Sequence, residues 1–157
     1  MQANWFSIRN VIAKMFPGVP RITTQELADW LDDPGRDNPL LFDVREKAEF
    51  EVSHLKDARW SPHADEILAI ANGLPALDKS KPIVVYCSVG YRSAKVAKAL
   101  IGKHNRQVFN LEGSIFQWFN DGRAVWRDSD ADSGSSEIQV REVHPYNAMW
   151  GKLLRKT

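Results

Sequence analysis

The chain contains one cysteine, Cys87, followed three residues later by Gly90, five residues later by Arg92, and then by Ser93. The thiolate form of cysteine is a strong nucleophile and is favoured beside fixed positive charge. Arg92 supplies such a charge, and Gly90 can adopt positive φ, letting loop amides converge on one point. The chemistry this set would perform is covalent catalysis by a nucleophilic thiolate in an anion-binding cradle. A lone cysteine is otherwise most often buried and inert, so the reading rests on the neighbours. Asp43 and Arg45 could act as an acid and an electrostatic clamp, but read better as a carboxylate and guanidinium tying loops together at the sheet edge. His54 reads as a hydrogen-bonded loop fastener rather than a base. Nothing at metal-ligand spacing accompanies His54 or His63, so neither metal nor cofactor is expected.

The elements that must position Cys87 are legible on either side of it. Ile83 to Tyr86 is a short apolar, β-branched run, predicting a buried strand that ends at the cysteine. Ala94, Ala97, Leu100 and Ile101 recur at helical spacing with Lys95, Lys98 and Lys103 on other faces, predicting an amphipathic helix from near Ser93. Cys87 through Arg92 then form a loop opening that helix, where unpaired N–H groups and the macrodipole favour an anion.

The strand followed by Cys87-Ser-Val-Gly-Tyr-Arg92-Ser93 resembles the active-site loop of rhodanese domains, which are sulfurtransferases. Upstream, Asp43-Val-Arg-Glu46, Glu49-Phe50 and His54-Leu55 resemble the segment preceding the active-site strand in that family. Two positions depart from its pattern. Asp57-Ala58-Arg59-Trp60-Ser61-Pro62 stands where the family usually has Gly-Ala and then Ile-Pro, and Gly113-Ser114 stands where Gly-Gly is common, ahead of a tryptophan like Trp118. The resemblance implies that Cys87 attacks the outer sulfur of a donor such as thiosulfate and carries a persulfide to a thiol or cyanide. Ser88, Val89, Gly90, Tyr91 and Ser93 would form the cradle, and Arg92 would hold the sulfonate-like end of the donor. It also implies mainly structural roles for Asp43 and Arg45. Cysteine phosphatase or arsenate-type chemistry in related domains generally uses one residue more between cysteine and arginine; here four intervene, which suits sulfur. A third reading is a non-catalytic interaction domain or a partner-dependent persulfide carrier, with a protein as sulfur donor or acceptor.

Elsewhere the chain alternates strands and helices: an N-terminal helix over 4–16 capped by Asn4, a capping box at Thr23-Thr-Gln-Glu26, a strand over 40–44, a short helix near Ala48 and Phe50, a helix over 64–71, a strand over 107–111 and an aromatic core helix over 115–119. This predicts an α/β fold of rhodanese type, a parallel sheet with helices on both faces, whose ligands bind beyond the carboxyl ends of the strands, where Cys87 and Asp43 both fall. The organisation expected is an N-terminal amphipathic helix extension (1–21), the rhodanese-like domain (22–127), and an acidic, flexible linker with a C-terminal extension (128–157) packing on the domain or a partner. Net charge of +1 and 26% charged residues give no case for nucleic acid. One cysteine precludes an intrachain disulfide, and with no transmembrane run or secretory leader the expectation is a cytoplasmic protein. A homodimer is left open.

Overall fold

The computed structural model describes residues 5–78, 80–103, 106–129 and 136–154. Helix α1 (Trp5–Met15) is followed by Pro17, and its expected cap at Asn4 lies outside the described residues. Strand β1 (Arg21–Ile22) leads to α2 (Thr24–Asp32), where the capping box closes: Thr23 Oγ1 accepts from the Glu26 N–H at 3.0 Å, and Glu26 Oε1 accepts from the Thr23 N–H at 3.1 Å. Then come β2 (Leu40–Asp43), α3 (Lys47–Val52), β3 (Arg59–Trp60), α4 (Ala64–Asn72), β4 (Ile83–Tyr86), α5 (Tyr91–Leu100), β5 (Val108–Leu111) and α6 (Ser114–Asn120). The five strands pair in parallel in the order β1-β5-β4-β2-β3.

An all-parallel sheet must be covered on both faces, and the central strand β4 shows why Ile-Val-Val-Tyr reads as a continuous apolar run. Ile83 and Val85 pack with Ile67 and Ala71 of α4 and Ala97 and Leu100 of α5. Val84 and Tyr86 point the other way, into a cluster with Leu27 and Trp30 of α2 and Ile115 and Phe116 of α6. All four strand residues are fully buried.

The structure departs from expectation in two places near the site. Helix α5 begins at Tyr91 rather than near Ser93, with Gly90 as its N-cap at φ 111°. The loop is therefore only Cys87 to Gly90, and Arg92 stands on the first helical turn. Weak alternation over 137–143 reads as an edge strand, and β7 (Glu137–Val140) forms there; the departure is its antiparallel partner, β6 (Val125–Asp128), in a second, two-stranded sheet. Strand β6 carries no local signal of its own, because its partner lies beyond the acidic run. The expected flexible character of that run falls mainly on 130–135, outside the described residues. The C-terminal arm then returns to the domain through α7 (Ala148–Gly151), burying Val143 and Leu153 in the same cluster as α2 and α6.

Candidate active site

Cys87 sits at the carboxyl end of β4 with only 1% of its surface exposed. Its sulfur accepts a hydrogen bond from the Gly90 N–H at 3.1 Å, which the left-handed Gly90 turns back toward the strand. Ser93 Oγ lies 3.4 Å from the sulfur and 2.6 Å from Asn110 Oδ1. Its one proton therefore has two acceptors, and Asn110 holds the hydroxyl in place while its own Nδ2 donates to the Gly90 carbonyl at 3.0 Å. Ser114 Oγ accepts from the Cys87 N–H at 3.1 Å, and the Ile115 and Phe116 N–H groups take the Cys87 and Ser88 carbonyls at 3.1 and 3.0 Å. The N-terminus of α6 thus fastens the loop from beneath, satisfying its own unpaired donors. Val89 is buried, and Tyr91 meets Phe16 edge-on at 5.9 Å.

Arg92 does not stand open. Its Nη1 and Nη2 donate to the two carboxylate oxygens of Glu49, each at 2.9 Å, and Nη2 also donates to Ser88 Oγ at 2.8 Å. Tyr146 from the C-terminal arm covers the guanidinium at 4.3 Å from the ring centroid. Burial works against the charge on Arg92, but the Glu49 hydrogen bond, the Cys87 sulfur and the Glu49 charge together raise its pKa above the usual value. Burial, the largest single influence, would raise the Glu49 carboxyl; the bonds from Arg92 and the Glu46 N–H and the charges of Arg92 and Arg45 together outweigh it and hold Glu49 below the ordinary carboxylate range. Glu49 has no role in the sequence reading, yet it is the one buried residue of α3. A charged residue in a short helix gives no sign from periodicity that it points inward; only its fork-to-fork pairing with Arg92, 43 positions away, explains it.

Asp43, Arg45 and His54 are brought near but do not reach the sulfur through any described bond. Asp43 accepts from Arg45 Nε at 2.9 Å and Nη2 at 2.6 Å, and Arg45 Nη2 also donates to the Ser53 carbonyl at 2.6 Å. His54 Nε2 lies 2.8 Å from Asp128 Oδ1, its ring stacks on Phe50 at 4.2 Å, and its backbone bridges to Trp126 of β6. Among the described residues, no group of His, Cys, Asp and Glu gathers to hold a metal ion, and no helix is long and apolar enough to cross a membrane.

Residues 23–121 match the family model of the rhodanese-like domain. The probable adenylyltransferase/sulfurtransferase MoeZ of Mycobacterium tuberculosis is 34% identical over 97 residues, which is 62% of this chain and 24% of that protein. The chain thus spans about a quarter of the length of the curated relatives it matches. Among solved structures, a thiosulfate sulfurtransferase from Pseudomonas aeruginosa superposes with a TM-score of 0.63 at 19% identity, covering 77% of this chain and 22% of that one; the likeness is one of fold. A rhodanese-like domain protein from Staphylococcus aureus gives a TM-score of 0.53 at 25% identity, covering 75% of this chain and 97% of that one.

Proposed function

The chain belongs to the rhodanese-like domain family, and from that premise we propose that it is a sulfurtransferase working through a persulfide on Cys87. The observation that carries the reading is the seat of the sulfur, at the end of a buried strand with the Gly90 N–H directed at it and the Ser93 hydroxyl 3.4 Å away. In the first half-reaction the Cys87 thiolate attacks the outer sulfur of a donor such as thiosulfate. The donor S–S bond breaks, and sulfite leaves with the electron pair. The terminal sulfur of the persulfide, carrying the negative charge, is held by preorganised donors in a water-poor site. In the second half-reaction a thiolate or cyanide attacks that terminal sulfur, and the electron pair returns to Cys87.

Arg92 enters this scheme as a charge partly neutralised by Glu49, fixing Ser88 and the loop, more than as an open clamp for a sulfonate. With four residues between Cys87 and Arg92, and both terminal nitrogens of Arg92 given to Glu49, the site favours sulfur over phosphoryl or arsenate chemistry. Asp43, Arg45 and His54 are assigned structural roles. The test is thiocyanate release from thiosulfate and cyanide: steady turnover that vanishes in Cys87→Ser supports the reading. Turnover surviving in that variant would overturn it.

A further inference from the structure

Above the Cys87 sulfur lies a cavity of about 440 Å³, a size suited to a small organic molecule. Its floor is Cys87, Ser88 and Val89, and its walls come from the two ends of the chain. Helix α1 supplies Ile8, Val11, Ile12 and Met15, and the C-terminal arm supplies Tyr146 and Trp150. The charge bordering it, Arg92, is paired with Glu49 and covered by Tyr146. Thiosulfate is a small, strongly hydrated dianion that needs only the loop and the Arg92 edge of this space; the apolar walls beyond them give a charged group nothing in exchange for its water. They suit a carbon body.

We propose that this cavity selects thiols with an apolar body, of roughly aromatic-ring size, as acceptors of the Cys87 sulfur. The proposal rests on the sulfur-transfer reading and names its acceptor class. The acceptor thiolate enters with its apolar part against Val11 and Met15 and attacks the outer sulfur of the Cys87 persulfide. The S–S bond breaks with its electron pair returning to Cys87, and the acceptor leaves as a persulfide. Cys87, only 1% exposed at the cavity floor, is reached by a slender molecule that enters, not by a thiol fixed on a broad protein surface.

Two measurements on the full chain separate this proposal from the reading beneath it. The first needs no sulfur transfer. Alkylation of Cys87 by N-benzyliodoacetamide and by iodoacetamide is compared, each rate normalised to that with free cysteine. Partial burial of one aromatic ring predicts a preference of roughly tenfold for the benzyl reagent. Val11→Asp and Met15→Glu, at half-exposed positions, should each cut that preference by roughly threefold or more. Phe6→Asp, on the same helix but outside the cavity, should leave it unchanged. Equal normalised rates in the wild type, or a preference that neither cavity variant lowers, would overturn the proposal. The second measurement charges Cys87 with sulfur and compares its discharge by phenylmethanethiol and 2-mercaptoethanol at equal thiolate concentration. Faster discharge by the aromatic thiol is expected, and equal discharge rates count against the proposal. A Cys87 that never charges defeats the sulfur-transfer reading itself, while the alkylation preference still reports on the cavity.

Discussion

At the scale of single residues, the arrangement turns on the pairing of Glu49 with Arg92. Glu49 is 1% exposed, and its carboxyl titrates below its ordinary 4.5 because the Arg92 and Glu46 hydrogen bonds and the Arg92 and Arg45 charges together outweigh the cost of burial. A carboxyl with a folded pKa below its unfolded one contributes stability that is present above the unfolded value and is lost as pH falls through the folded value. Glu49→Gln should therefore cost about 2 kcal/mol at neutral pH, below the full cost of breaking a wholly buried pair because Arg92 is 27% exposed. The gap to the wild type should narrow steadily as pH drops below 4.5. Urea midpoints of the two proteins across pH measure this. A gap that stays constant into acid would show that the Glu49 charge is not what holds Arg92. The place of Cys87 between a buried strand and a helix was legible, since the β-branched run before it and the helical spacing after it are local signals. Glu49 was not, because its partner is distant in sequence and its neighbours Ala48 and Phe50 are the apolar ones.

At the scale of elements, the departures from the family pattern are conformationally faithful. Asp57, standing where the family usually has glycine, adopts φ 62°, and Ser114, at the second position of the usual Gly-Gly, adopts φ 49°. Both backbones keep the left-handed turn that glycine takes without strain and an L side chain takes at a cost. For Ser114 that cost is offset by its hydroxyl, which accepts from the Cys87 N–H and donates to the Leu111 carbonyl at 2.9 Å. Asp57 makes its described bond through its backbone N–H, to Glu137 at 3.0 Å. Asp57→Gly should accordingly stabilise the protein by about 0.5–1 kcal/mol, strain relief exceeding the added freedom of the unfolded chain. A chemical-denaturation midpoint tests it, and a loss of stability would mean that the aspartate side chain is favourable there. The strands and helices of the sheet were legible because period and capping are local. The start of α5 was misjudged by two residues because Gly90, placed in the loop for its φ, also serves as the helix cap. Strand β6 was missed because its pairing partner comes from beyond the acidic run.

At the scale of the whole molecule, the two chain ends are what distinguish this protein's site from the bare loop. Sequence pattern predicted an amphipathic N-terminal helix and a C-terminal extension packing on the domain or a partner, but amphipathicity does not say which face of a domain a helix will cover. The structure brings α1 and the arm carrying Tyr146 and Trp150 over the same loop, so the Cys87 sulfur lies under walls contributed from both termini. In the proposed reaction Cys87 takes up and gives away a single sulfur atom. The most direct test is the intact mass of the protein after brief exposure to thiosulfate, beside Cys87→Ser. A gain of one sulfur is expected in the wild type alone, reversed by cyanide or by an apolar thiol. An unchanged mass with Cys87 still open to alkylation would contradict thiosulfate as donor, and a gain that persists in Cys87→Ser would contradict the assignment of the sulfur to this residue.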